Sequence, residues 1–214
     1  MIYDIPSQDE PIRQGDIFWG IPKVEIEFAA GLPTIGPSPD NDIAKTPWDA
    51  IVKKDEPTIA VLPVIAVPAI VASQDCDARW GISITLCEIK EFPQVEADAA
   101  TATKLHSMIN IITRHARWKF KWFYLPPDKR IGFDKRMAVD FFSTIRVLRE
   151  DLEQLKDLRK GCLKTVARDH FRERIAHFYQ RYAYNEWYPL SKEEMEIYSK
   201  ENPVRPSDRY DWQK

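Results

Sequence analysis

The sequence predicts an α+β protein: a small antiparallel β-barrel with a helical insertion and a C-terminal helical extension. Three observations carry this. Ile12-Arg13-Gln14-Gly15-Asp16-Ile17-Phe18-Trp19 and Pro68-Ala69-Ile70-Val71-Ala72-Ser73-Gln74-Asp75-Cys76-Asp77 each join a short strand to a polar turn. Further short runs of β-branched and aromatic residues, separated by Pro, Gly and Asp, fill the first 150 positions. Near the end, Phe171, Ile175, Phe178 and Tyr182 recur at i, i+4, i+7 and i+11, which is one stripe of an α-helix.

Taken in order, residues 1–11 are polar and contain proline, and read as an arm. Ile12 to Trp19 is the first strand, and Lys23 to Phe28 alternates strictly, as a half-buried antiparallel strand does. Gly31 to Asp42 reads as a loop, because Pro33, Pro37 and Pro39 oppose regular structure. Strands follow at Thr58–Val67, Ala69–Ser73 and Ile82–Lys90. After Pro93 the spacing turns helical, from about Ala97 to Arg114. Lys119 to Leu125 returns to alternation and stops at Pro126-Pro127-Asp128. Met137 to Leu148 is one long strand, and Glu150 to Leu158 begins a helix. Asp169 suits the N-cap of the last helix, Pro189 ends that region, and the tail from Lys192 is charged. The division expected is a barrel domain over 1–158, with insertions at about 31–54 and 97–119, and a helical extension with tail over 159–214.

A chain of 214 residues is long enough to bury a proper core, and 44% hydrophobic with 30% charged residues is ordinary for a globular protein. The net charge of -2 excludes a globally basic nucleic-acid binder, so any such contact must come from segregated charge. Cys76, Cys87 and Cys162 show no CxxC or other metal spacing, and no signal peptide is recognised, so a reduced cytoplasm is the expected setting. The apolar run from Ile59 to Ala72 is too short for a membrane helix and is broken by Pro63 and Pro68. No Gly-rich phosphate loop, Gly-x-Ser-x-Gly elbow or His-Glu-x-x-His motif occurs, and no cofactor or metal is expected.

At the level of residues, Arg13-Gln14-Gly15-Asp16-Ile17-Phe18-Trp19 resembles the first strand of the MazF/PemK toxins. Pro68-Ala69-Ile70-Val71 through Arg79-Trp80 to Ile84-Thr85-Leu86 is similar to that family's next hairpin. Val139 to Leu148 with Asp151-Leu152 resembles its closing strand and following helix. The resemblance covers about half of the chain and implies an SH3-like barrel, a cytoplasmic setting and a homodimer. It also implies where ribonuclease chemistry would sit: an Arg directly before the Pro of the second segment, and a Thr or Ser after the next strand. Those positions hold Val67 and Lys90. Valine can neither donate a proton nor balance a phosphorane, so the implied chemistry loses its central group, whereas Lys90 retains a point charge for a phosphate.

Several constellations remain open between function and structure. Asp75-Cys76-Asp77 with Arg79 reads as a hairpin tip that contacts a ligand or partner, or as a turn whose carboxylates bond the backbone. The carboxylates disfavour a thiolate at Cys76, and two of them are too few for a metal site. Arg114, Arg117, Lys119, Lys121, Lys129, Arg130, Lys135 and Arg136 concentrate charge around Trp118, Phe120, Trp122, Phe123 and Tyr124. On a strand, Lys119, Lys121 and Phe123 share one face, with Phe120, Trp122 and Tyr124 on the other. That pattern serves single-stranded RNA recognition, or it is a solvated face over core aromatics. His170 and His177 lie beside Arg174 and Arg181, as a second basic strip or as a plain exposed helix.

The function expected is a toxin-like or defence-associated bacterial or phage protein that binds RNA or a protein partner, with no standard ribonuclease chemistry. Its ligand surface would comprise Arg13, Gln74, Asp75, Asp77, Arg117, Lys119, Lys121 and Trp122. Two alternatives stand beside it. One is an active endoribonuclease whose catalytic groups have moved to Arg79 and Lys90. The other is a non-enzymatic interaction subunit, an antitoxin-like or defence-complex component, docking through the Phe171–Tyr182 stripe or the tail.

Overall fold

The computed structural model describes residues 1–35, 43–54, 57–92, 121–180, 191–193 and 196. The chain divides into two compact units, Met1–Arg181 and Tyr182–Lys214. The first unit is an α+β structure dominated by an antiparallel sheet. Its strands are β1 (Tyr3–Asp4), β2 (Asp16–Val24), β5 (Val64–Val71), β6 (Ser83–Glu91), β7 (Trp122–Leu125), β8 (Met137–Leu148) and β9 (Arg159–Leu163), in the order β1-β9-β2-β5-β6-β8-β7. A separate hairpin pairs β3 (Leu32–Ile35) with β4 (Ile43–Thr46). Around these strands the described residues form α1 (Trp48–Lys54), α2 (Asp75–Trp80), α3 (Arg149–Gln154) and α4 (Thr165–Gln180), with short 3-10 turns at Lys129–Ile131 and Lys156–Leu158.

Both faces of the sheet are covered along Val67–Val71 of β5, which explains the absence of polar alternation there, whereas Val64, Ile65 and Ala66 at its start are exposed. Ile17, Ile70, Cys87, Phe123, Val139 and Phe141 pack on one face under Phe171 and Phe178 of α4. Phe18, Ala69, Val71, Leu86 and Ile145 pack on the other, under Ala78 of α2 and Leu152 of α3. The helical stripe seen in the sequence is therefore a core stripe as far as Phe178, with the Phe171 ring 5.2 Å from Phe123 and 5.8 Å from Phe141. Truncating Phe171 to Ala is expected to cost about 3–5 kcal/mol. Tyr182 lies outside the described residues.

Irregularities curl the sheet. The ladder slips between Phe18 and Ile21 of β2 and between Cys87 and Glu88 of β6, where Cys87 faces Thr144 but Glu88 faces Asp140, so Phe141–Ser143 bulge out of β8. Among the described residues no ladder joins β1 to β7. A side chain crosses that gap instead, the Tyr3 hydroxyl donating to the Pro126 carbonyl at 2.9 Å, and nearby Trp19 Nε1 of β2 donates to the Ile131 carbonyl of the turn after β7 at 3.0 Å. Pro68 is tolerated inside a central strand because it faces the β2 slip and precedes the β5–β6 ladder, which begins at Ala69.

Several elements differ from the sequence reading. The strand expected from Ile12 is β2 and starts at Asp16, because Gly15 takes a φ of 89° and the Asp16 N–H donates to the Arg13 carbonyl in a tight turn, and the expected arm before it carries β1, which pairs with β9. Ile26 and Phe28 alternate with glutamates but lie outside any strand, exposed. Leu32–Ile35 is a strand despite Pro33, which needs no N–H there because only its carbonyl is used, by Val61. The polar turn after Val71 is a short helix, α2, and not a hairpin tip. The boundary expected at 158 falls elsewhere: Arg159–Leu163 is a strand inside the main sheet, between β1 and β2, and α4 starts at Thr165 rather than after Asp169. Gly161 makes that strand possible, since a Cβ there would lie 2.5 Å from Ile131 Cγ2. The helix expected over 97–114 and the tail beyond Glu196 lie outside the described residues.

Arg159 fixes the N-terminal arm. Its guanidinium, with the side chain 1% exposed, donates to Asp16 Oδ2 at 3.0 Å and to the carbonyls of Ser7, Glu10 and Pro11. The guanidinium is thereby paired and makes four hydrogen bonds, which offset its burial, while Asp16 Oδ1 has no hydrogen-bond partner and burial raises the Asp16 carboxyl to about 6.

Candidate functional site

A groove of about 440 Å³ opens over the neighbouring strands β2, β5 and β6 and reaches the start of β7, which lies beyond β8. Lys23, Val67, Glu88, Lys90, Lys121 and Trp122 line it. Strand periodicity places Glu88 and Lys90, two residues apart, on the same face of β6. The β8 bulge then brings Ser143 and Asp140 to them: Ser143 Oγ donates to Glu88 Oε2 at 2.6 Å, and Lys90 Nζ donates to Asp140 Oδ2 at 2.9 Å. Lys23 Nζ reaches Glu88 Oε2 at 2.8 Å, and Lys90 stands 3.6 Å from the same oxygen.

This network locks Lys23, Glu88 and Lys90 in their charged forms. Burial works against the Glu88 carboxylate, but hydrogen bonds from Lys23 and Ser143 and the charge of Lys90 outweigh it and hold the carboxyl below its ordinary range. Burial also works against the ammonium groups of Lys23 and Lys90. The carboxylates of Glu25 and Glu88 for the first, and of Asp140 and Glu88 for the second, raise both above the ordinary lysine value. A general acid or base works best with a pKa near the operating pH. Neither these lysines nor Glu88 meets that condition, and Val67 in the same wall supplies no polar atom. Lys23, Glu88 and Lys90 therefore face the groove as charged groups.

Lys121 places its ammonium 4.6 Å from the Trp122 ring centroid and 6.0 Å from that of Phe142. Trp122 itself is 3% exposed and packs with Phe92 and Ala138, so it forms the groove floor, in line with the core-aromatic reading rather than with open base stacking. Phe123, expected beside Lys121 on a solvated face, is buried against α4. Arg117 and Lys119 lie outside the described residues.

The remaining sequence-derived residues fall elsewhere. Asp75 meets the Gln14-Gly15-Asp16 turn: the Gln14 N–H donates to Asp75 Oδ1 at 2.9 Å, and Gln14 Nε2 donates to the Ala72 carbonyl at 2.7 Å. Arg172 of α4 completes this cluster, donating from Nε to Gln14 Oε1 at 2.9 Å and pairing with Asp75 and Asp169. A second groove of about 870 Å³ lies here, lined by Gln14, Gln74, Asp75, Cys76, Arg172 and Tyr179. Asp77 is exposed beside the Cys76 thiol, and Arg79 stacks at 4.8 Å over the Trp80 ring on the outer side of α2. Arg13 pairs with Glu10 and Asp16 and faces Cys162 near the start of α4. Arg79 and Lys90 are not brought together. Arg79 precedes β6 and Lys90 sits near its far end, after a run of seven residues that spans about 23 Å when extended.

The sequence missed Lys23, Glu88, Asp140, Ser143 and Arg172. Only the Glu88–Lys90 spacing carried a local signal; Asp75 and Gln14, which Arg172 meets, lie 97 and 158 positions away. Among the described residues no three His, Cys, Asp or Glu side chains are grouped to hold a metal, and no helix is long and apolar enough to cross a membrane. No protein-family model matches this chain, and no curated protein matches its sequence significantly.

Proposed function

We propose that this chain is a toxin-like or defence-associated cytoplasmic protein of MazF/PemK type, with a divergent SH3-like barrel, that binds single-stranded RNA without cleaving it by the standard mechanism. The observation that carries the reading is the shared groove of Val67 and Lys90. The two positions that the resemblance assigns to phosphate chemistry line one surface, and there the first is apolar and the second is a lysine held charged by Asp140 and Glu88. The order of pairing supports the reading too: the segments carrying the resemblance are neighbours, β2 on β5, β5 on β6 and β6 on β8. Lys23, Lys90 and Lys121 then supply phosphate contacts on one wall. The wide separation of Arg79 and Lys90 weighs against a nuclease relocated to that pair.

The test is incubation of the purified full chain with a long unstructured RNA, reading retention and cleavage together across salt concentrations. Retention without cleavage is expected, weakening with salt. Lys121→Ala should reduce the salt slope by about 0.7, the contribution of one single-strand phosphate contact. Cleavage that disappears in Lys90→Ala would replace this reading with an active nuclease. An absence of both retention and cleavage would leave a protein-interaction module.

A further inference from the structure

His170, Arg174 and His177 recur at i, i+4 and i+7 and so share one stripe of α4. His170 is exposed and His177 half-buried, as on a solvated strip, but Arg174 is 4% exposed. Its Nε, Nη1 and Nη2 atoms are all buried, and none has a hydrogen-bond partner among the described residues. Burial, with no charge opposing it, pushes this guanidinium below its ordinary value. Arg159, 5% exposed, shows what a buried guanidinium otherwise takes in this fold: Asp16 and three backbone carbonyls.

An arginine stays protonated inside a protein, so Arg174 does not shed its charge as a buried lysine does. A charge left buried without a partner is strongly destabilising, and an apolar side chain of similar volume would fill the same place without that cost. The residue type therefore points to an acceptor from outside the chain. A guanidinium offers a planar fork of N–H donors, which fits a phosphate group bidentately. His170 and His177, one turn to either side, add ring N–H donors, although His177 Nε2 already lies 3.6 Å from the exposed Glu173. A cavity of about 660 Å³ opens beside His170, and Arg13, Lys164 and Arg168 line it, with Asp4 as its carboxylate. Arg168 Nε is buried there and also lacks a hydrogen-bond partner among the described residues. The approach to the stripe is thus cationic.

We propose that the His170–Arg174–His177 stripe is a phosphate site, in which the Arg174 guanidinium binds a phosphate group as its counter-ion and the two imidazoles hydrogen-bond its remaining oxygens. This site does not rest on the RNA reading of the groove. Val67 of the groove shares with Ala69 and Val71 the sheet face opposite the one that Phe171 of α4 covers.

The test is titration of the full chain with inorganic phosphate at constant ionic strength, followed by calorimetry and by thermal melts, with Arg174→Met and His170→Ala. The wild type should bind phosphate saturably, and its Tm should rise with phosphate concentration. Arg174→Met should bind at least about tenfold more weakly, through loss of a charge-assisted contact. In chloride it should melt at or above the wild-type Tm, because an apolar side chain replaces an unpaired charge. A lower Tm would mark a guanidinium held by partners within the chain and overturn the proposal. So would a wild type that binds no phosphate at millimolar concentrations, or an Arg174→Met protein that binds it unchanged. If Arg174→Met cannot be purified, His170→Ala decides, since that side chain is exposed and outside the core: unweakened binding there overturns the proposal. Competition then identifies the source of the phosphate. A short oligonucleotide that displaces it only when 5′-phosphorylated marks a nucleic-acid end, and displacement by neither form marks free phosphate.

Discussion

Replacing Glu88 with Gln removes one charge from the groove and almost no volume, and it should move stability and RNA retention in opposite directions. Glu88 lies 2.8 Å from Lys23 and 3.6 Å from Lys90, and its side chain is 10% exposed. Breaking a buried ion pair from one side costs about 3–5 kcal/mol. Here the loss is smaller, because Gln still accepts the Ser143 hydroxyl and Lys90 keeps Asp140. About 2–3 kcal/mol is expected, which for a chain of this size lowers Tm by about 4–12 °C. The loss has a pH signature. A carboxyl whose folded pKa lies below its unfolded value stabilises the protein above the unfolded pKa, and that stability disappears as pH falls through the folded pKa. Glu88 is lowered from its ordinary 4.5, so wild type and Glu88→Gln should differ fully near neutrality and converge well below pH 4.5. Thermal melts followed by circular dichroism across that range test this. Equal Tm values near neutrality, or a difference that persists undiminished in acid, would refute the locked-charge account of the groove. Retention on RNA should meanwhile strengthen, with a salt slope steeper by about 0.7 for each lysine released to a phosphate. The stability arm stands whether or not RNA is the ligand.

Two further outcomes follow from the packing. Arg159→Met leaves Asp16 buried without its main partner and unties the carbonyls of residues 7, 10 and 11. A loss of about 3–5 kcal/mol in urea unfolding, with faster proteolysis near residues 5–12, is expected; a loss below about 1 kcal/mol would contradict the anchoring role. Gly161→Ala forces a methyl group into Ile131 Cγ2 and should cost about 1–3 kcal/mol, read as a lower denaturant midpoint. Pairing it with Ile131→Val, which trims the opposing side chain, should recover part of that loss.

Local chemistry in the sequence determined the strand of Met137–Leu148, the Gly15 turn and the core stripe of Phe171, Ile175 and Phe178. Each is set by residues within a few positions, through a β-branched and aromatic run, a glycine that accepts positive φ, or helical periodicity. The α+β class followed from these elements. Tertiary structure decided the rest. Arg159-Lys160-Gly161-Cys162-Leu163 carries no strand pattern of its own, and becomes β9 because β1 and β2 offer edges on both sides and Ile131 fits over Gly161. Ile26 and Phe28 alternate like a strand but join no strand among the described residues and stay about half exposed, although the Phe28 ring meets Trp48. Glu88, Asp140 and Ser143 are unremarkable in sequence. They form the groove network because a three-residue bulge in β8 reorients Ser143 towards β6, a slip that depends on the pairing of two strands and is written in neither. Arg172 meets Gln14 and Asp75 only once α4 has packed across the sheet, since contacts between distant segments follow from burial of a whole helix face, not from any local preference.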